Sequence, residues 1–409
     1  MLRMKAVPTL FSLLTFPALV SALCPTSTCM PDGTQASGAK YRICMPDTSC
    51  WNHKLVVFAH GYVDPNAPIA IPDDQLIVGG ISIPALMNKL GFGFAVSSYS
   101  TNGLAVLPGI QDSLDLVNIF SSTVGKPERV YLVGPSEGGL VSALSIEQHS
   151  DVYNAALPAC GPIGDFQRQI NYIGDFRVVF DYFFPGVIPG TAVSVPQQVM
   201  TDWESTYVPA IQNAIQANPS ATNQLLAVTK APVSPSDPST IAQTVVNLLW
   251  YAAFSTNDAN QKLGGQPFDN HSRVYAGSLN DADLNQKVAR YTADPAAVAQ
   301  ISFHYQTTGR LQRPAVTLHT TGDPIIPYWN ELLYTLKTLN QHTAMERINI
   351  PVAAYGHCNF TAADALIAFG LMLAKDSASA LPSGAESLVP SDQRQGFLSR
   401  AHMLGLIQH

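Results

Sequence analysis

Short apolar runs alternate with amphipathic stretches along much of this chain. Residues 54–59 (KLVVFA) form a β-branched and aromatic run ending at His60-Gly61, the pattern of a buried strand closed by a tight turn. Residues 92–96 and 129–133 repeat the pattern, the second closing on Gly134, and residues 153–157 are a weaker fourth. Helical spacing fills the gaps at 111–120 and 138–149. Strands alternating with helices predict an α/β fold with a mostly parallel sheet flanked by helices. From about Gly161 to Arg313 the alternation stops, and the stretches are helical, notably 239–254 and 294–304. The second opens as Asp294-Pro295, a cap residue followed by a first-turn proline. Strands then resume at 315–319 and 348–354, with helices at 329–338 and 362–373. About 150 residues are too many for a structureless loop. The expectation is one catalytic-type core at 23–160 and 314–376, a mainly helical cap or lid inserted at 161–313, and a polar, loosely packed tail at 377–409.

The first residues carry a different pattern. Arg3 and Lys5 precede an apolar stretch at 6–20, and Val20-Ser21-Ala22 supplies the small residues that a signal peptidase cuts after, so 1–22 are expected to be a secretory signal. Pro8 and Pro17 interrupt the stretch, and no other run approaches the ~20 apolar residues of a membrane span, so no stable membrane anchor is expected. All six cysteines follow this segment, and an even number in an exported chain points to disulfides. Their spacing fits no zinc site. Proximity along the chain suggests Cys24–Cys29 and Cys44–Cys50, leaving Cys160 with Cys358, although other connectivities are open. Asn270-His271-Ser272 and Asn359-Phe360-Thr361 are glycosylation sequons.

Composition narrows the class. Of 409 residues, 46% are apolar and 12% charged, which excludes intrinsic disorder. A net charge of -7 leaves no basic stripe for nucleic acid.

Candidate chemistry lies at the strand ends. Gly134-Pro135-Ser136-Glu137-Gly138 matches G-x-S-x-G between a buried strand and a helix of small residues. Glycines permit the sharp turn that projects a serine hydroxyl clear of the sheet; a turn built only for close packing would carry the same glycines. A serine needs a base, and the base an orienting acid. Asp323 stands just beyond the strand at 315–319, and His357 on the loop after the next strand, each fixed by neighbouring glycine or proline. Neither H-E-x-x-H nor a phosphate-binding glycine loop occurs, so no metal or organic cofactor is expected.

These segments resemble the α/β-hydrolase superfamily over about Leu55 to Leu157 and Pro314 to Leu373. The likeness is carried by the serine turn, His60-Gly61-Tyr62, Gly322-Asp323 with Pro327, and Gly356-His357. It implies Ser136 as nucleophile, His357 as general base and Asp323 as orienting acid, with an oxyanion hole from the backbone N–H groups of Tyr62 and Glu137. Cys358 directly after His357 resembles half of the motif of tannases and some feruloyl esterases. Pro135 stands where their matching cysteine precedes the serine, so the chain is not assigned to that group. The resemblance favours a secreted esterase or lipase acting on a small-molecule ester. A peptidase or amidase with the same residues, a lactonase or acyltransferase, and a non-catalytic binding protein remain alternatives. Phe180, Tyr182, Phe183, Phe184, Trp203 and Trp250 are candidates either to line a substrate pocket or to form the insertion's own core.

Overall fold

A computed structural model describes residues 23–407; the expected signal segment lies outside the described residues. Eight strands form one continuous sheet: β1 (Ser27–Cys29), β2 (Lys40–Pro46), β3 (Lys54–Phe58), β4 (Gly93–Ser97), β5 (Arg129–Pro135), β6 (Ala155–Ala159), β7 (Ala315–Gly322) and β8 (Arg347–Tyr355). Their order is β1-β2-β4-β3-β5-β6-β7-β8, and the two-residue strand Gly33–Thr34 adds to β2. From β4 to β8 every pairing is parallel, while β2 runs antiparallel to β4 and β1 antiparallel to β2. The helices that matter below are α1 (Ile83–Lys89), α2 (Val106–Thr123), α3 (Glu137–Gln148), α4 (Phe166–Phe183), α5 (Ser239–Phe254), α6 (Trp329–Asn340), α7 (Ala362–Ser377) and α8 (Ser391–Met403).

Residues of β3 are apolar on both faces because the sheet is covered on both faces. Leu55 and Val57 join a core with α2 and α3, and Val56 and Phe58 join a second with α1, α7 and α8. This mostly parallel sheet, with helices on both sides and short strand-to-helix turns at its C-terminal edge, is an α/β-hydrolase fold. Between β6 and β7 the described residues add no strand to the sheet. Helices there bury a third core of their own around Phe176, Phe180, Trp203, Leu248 and Leu249, which also takes in Ile325 and Ile326 from the loop after β7.

The structure corrects three expectations. The disulfides are Cys24–Cys50, Cys29–Cys44 and Cys160–Cys358; the expected Cys24–Cys29 and Cys44–Cys50 do not form. Antiparallel pairing of β1 with β2 sets Cys29 opposite Cys44, with Cα atoms 3.8 Å apart, so sheet register overrides nearness along the chain. The tail is not loose: α8 buries Phe397 and Ala401 completely against α7, and Leu406 closes the same core. Asn270 is 1% exposed, and its amide nitrogen donates to Tyr275 Oη and the Ala289 carbonyl. The fold therefore encloses the amide at that sequon, whereas Asn359 is exposed, its amide donating to the Tyr355 carbonyl at 2.8 Å.

Candidate active site

Ser136 occupies the turn between β5 and α3 with φ 57° and ψ -124°, a conformation few non-glycine residues adopt. The flanking glycines make the turn possible. A Cβ on Gly138 would stand 1.9 Å from the Ala59 carbonyl oxygen, and one on Gly134 would stand 2.2 Å from that of Gly138. The Ser136 N–H donates to the Ala159 carbonyl at 2.9 Å, locking the turn to the end of β6. Glu137 opens α3, where a backbone N–H has no acceptor within its own helix.

His357 follows β8 on a loop turned by Gly356 at φ 109°. The Ser136 hydroxyl lies 2.8 Å from its Nε2 and Asp323 Oδ2 lies 2.7 Å from its Nδ1. An ionised carboxylate only accepts, so Nδ1 carries the proton and Nε2 is free to accept from the serine. Asp323 is fully buried, and its Oδ1 accepts the N–H groups of Ile325 and Ile326 at 2.8 and 3.0 Å. Burial works to raise its pKa, but the neighbouring His357 and His319 outweigh it and hold the carboxyl at about 2. The Cys160–Cys358 disulfide ties the His357 loop to the residue just after β6, beside the anchor of Ser136.

A second buried histidine stands behind this line. His319 Nδ1 lies 3.1 Å from Glu331 Oε1, and Nε2 lies 2.8 Å from the Ile326 carbonyl oxygen and 3.6 Å from Asp323 Oδ2. Both neighbours accept, so both ring nitrogens carry protons and the ring is an imidazolium. Burial alone would lower its pKa, but Asp323 and Glu331 raise it to about 10. Glu331, on α6, is in turn held by Arg347 of β8. Sequence reasoning took His319 only as the end of a strand; a histidine inside an otherwise apolar strand was the available signal.

The turn His60-Gly61-Tyr62 abuts the serine: a Cβ on Gly61 would stand 3.1 Å from Ser136 Cβ. Gln75, which no motif marked, fixes it by accepting the Gly61 N–H at 2.7 Å and donating to the Tyr62 carbonyl at 3.2 Å. Tyr62 sends its ring toward α5, edge-on to Trp250 and Tyr251, and its hydroxyl donates to the Phe254 carbonyl at 3.4 Å. Tyr251, also unmarked in sequence, lies beside Ser136 in the wall of the space around it.

Two cavities meet at Ser136. The larger, about 310 Å³, runs between the sheet and helices α1 and α7, past Val56, Phe58, Leu86, Leu157, Leu366 and Phe369, with His357 and Cys358 in its wall. The smaller, about 100 Å³, lies on the other side among Glu137, Phe166, Ile170, Ile173, Ala259 and Ile326. Tyr62, Ser136 and Tyr251 border both. None of the six aromatics singled out in the insertion lines either cavity. Phe180, Phe184 and Trp203 are buried in that region's own core, and Tyr182, Phe183 and Trp250 pack against it.

Glu137 also borders the small cavity, and its side chain is buried. Its Oε1 accepts the Ala105 N–H at 2.9 Å, and its Oε2 has no hydrogen-bond partner among the described residues. Burial raises its pKa to about 8, against the lowering influence of the Ala105 N–H and the Lys262 charge.

No protein-family model matches this chain, and no curated protein does. Solved structures with a similar backbone include an acylaminoacyl peptidase in complex with a chloromethyl ketone, at 11% identity and a TM-score of 0.43 over 88% of this chain. This chain spans only 43% of that peptidase. Feruloyl esterase B from Aspergillus oryzae has 14% identity and a TM-score of 0.41, over 80% of this chain and 72% of its own. The rice cell wall degrading esterase LipA from Xanthomonas oryzae has 14% identity and a TM-score of 0.41, over 91% and 90%.

Proposed function

We propose that this protein is an exported serine hydrolase that cleaves carboxylic esters through an acyl-enzyme. The observation that carries the reading is the unbroken hydrogen-bonded line Ser136–His357–Asp323, with each distance under 3 Å and the acid fully buried. His357 Nε2 takes the Ser136 proton as Oγ bonds to the ester carbonyl carbon, and the negative charge moves to the carbonyl oxygen. The Tyr62 and Glu137 N–H groups are assigned to hold that oxygen; one such donor is worth about 3–4 kcal/mol in the transition state. The carbon–oxygen bond to the alcohol then breaks, and the alcohol leaves with the proton from Nε2. Water, deprotonated in turn by His357, attacks the acyl-serine; the acid departs and Ser136 recovers its proton. Asp323 stabilises the imidazolium formed at each stage without taking the proton. Helices of the 161–313 region act as the cap, with Tyr251 covering the serine and Trp250 packed edge-on against Tyr62.

Export rests on the expected signal segment and on three disulfides, which persist in oxidising surroundings. No helix among the described residues is long and apolar enough to cross a membrane.

A fluorophosphonate probe tests the core of the proposal: it labels Ser136 in the wild type and labels nothing in folded Ser136→Ala. Absence of wild-type labelling would point to a binding protein. In parallel, nitrophenyl esters are expected to turn over and an aminoacyl anilide not; turnover of the anilide alone would make the protein a peptidase or amidase.

A further inference from the structure

Two cavities of unequal size meeting at one nucleophile raise the question of which half of the substrate each receives. Reaction geometry answers it, given the ester-hydrolase reading above. The leaving alcohol takes its proton from His357 Nε2, so its oxygen must lie on the His357 side of the reacting carbon. His357 and Cys358 border the 310 Å³ cavity and not the 100 Å³ one, which lies on the Glu137 side. We infer that the large cavity receives the alcohol portion and the small pocket the acyl portion, so that the substrates are short-chain acyl esters of large apolar alcohols.

The volumes set the sizes. A cavity of ~150 Å³ lined by aliphatic and aromatic side chains takes one benzene ring. At 310 Å³ the alcohol cavity has space for about two rings or an alkyl group of comparable bulk. At 100 Å³ the acyl pocket falls short of one ring, which restricts the acid to roughly two to four carbons. The large cavity is walled mainly by the apolar side chains of the core between the sheet, α1 and α7, with Tyr62, Gln75, Ser136, Tyr251 and His357 as its polar lining residues. The small pocket is also mainly apolar, with Glu137, Gln169 and Ser255 among its lining residues.

Octyl acetate and ethyl octanoate are isomers that differ only in which side of the ester carries the long chain, and they separate the possibilities directly. Burial of one methylene is worth about fourfold in binding, so octyl acetate is expected to exceed ethyl octanoate in kcat/KM by at least about tenfold. Along the alkyl acetates from ethyl to octyl, kcat/KM should climb, and along the octyl esters from acetate to hexanoate it should fall. Ile173→Ala, which widens only the small pocket, should raise the ratio of octyl hexanoate to octyl acetate turnover. Val78→Trp, at the half-buried rim of the large cavity, should depress octyl acetate more than ethyl acetate. The reverse order of the two isomers, or no preference between them, overturns the assignment of the cavities while leaving the serine hydrolase intact. No turnover of either isomer by enzyme that fluorophosphonate still labels at Ser136 also overturns it. Failure of labelling itself strikes the underlying reading instead.

Discussion

Glu137→Gln isolates the energetic consequence of placing a carboxyl in the first turn directly after Ser136. Glu137 is 7% exposed, with one oxygen bound to the Ala105 N–H and the other unpartnered among the described residues. Burial shifts its pKa from the ordinary 4.5 to about 8. The folded state therefore keeps a proton that the unfolded chain releases. The contribution to stability is complete below about pH 4.5, declines as pH rises, and levels off above about pH 8. At about 1.4 kcal/mol for each pH unit between those values, the decline is at most about 5 kcal/mol, and relaxation around the charge brings the expectation to about 3–5 kcal/mol. Glutamine keeps the acceptor for Ala105 and never ionises. Reversible urea denaturation with disulfides intact, run on both proteins at pH 5, 7 and 9, reads the effect as a difference, in which the other titrating groups cancel. The two proteins should be nearly equal at pH 5, and the variant should be more stable by about 3–5 kcal/mol at pH 9. Parallel stability curves across that range would refute the reasoning, because they would mean that Glu137 ionises as easily folded as unfolded.

Other expectations follow from the same geometry. Asp323→Asn leaves the buried volume nearly unchanged but replaces the acceptor facing His357 Nδ1, so kcat on an ester should fall by about 10³–10⁴-fold, and loss of a buried carboxylate whose pKa is held at about 2 should also lower the melting temperature. His319→Gln removes a buried cation whose folded pKa, about 10, lies above its ordinary 6.5. Its stabilising contribution is complete below pH 6.5 and lost as pH rises through about 10, so the variant's deficit in urea denaturation should be largest at pH 6 and shrink toward pH 10. Gly138→Ala sets a methyl group against the Ala59 carbonyl and should both lower the melting temperature and abolish fluorophosphonate labelling.

What could be recognised in the chain before folding follows from what each feature needs locally. Ser136, Asp323 and His357 announce themselves because a side chain held at a strand end requires a sharp turn, and sharp turns write themselves in adjacent glycines and prolines: Gly134 and Gly138, Gly322 and Pro324, Gly356. The parallel strands are equally visible, since burial on both faces demands continuous apolar runs. Features set by meetings between distant segments left no such mark. The disulfide partners of Cys24 and Cys29 depend on the register of β1 against β2, and the Asn270 sequon says nothing about the Tyr275 and Ala289 groups that enclose it. Helix α8 is mostly polar, and its anchorage rests on Phe397 and Ala401, four residues apart, too sparse a stripe to distinguish from a loose tail. Tyr251 makes the point most sharply. Within its own segment it is one more aromatic beside Trp250 and Phe254, and the insertion's aromatics as a group form a separate core. Only because α5 is laid across the His60-Gly61-Tyr62 turn does this side chain, and not its neighbours, lie beside Ser136 and divide the space around it into two unequal cavities. The proposed reaction class thus rests on short motifs at strand ends. The proposed selectivity rests on how a helix distant in sequence docks over them, which is why it had to come from the folded chain.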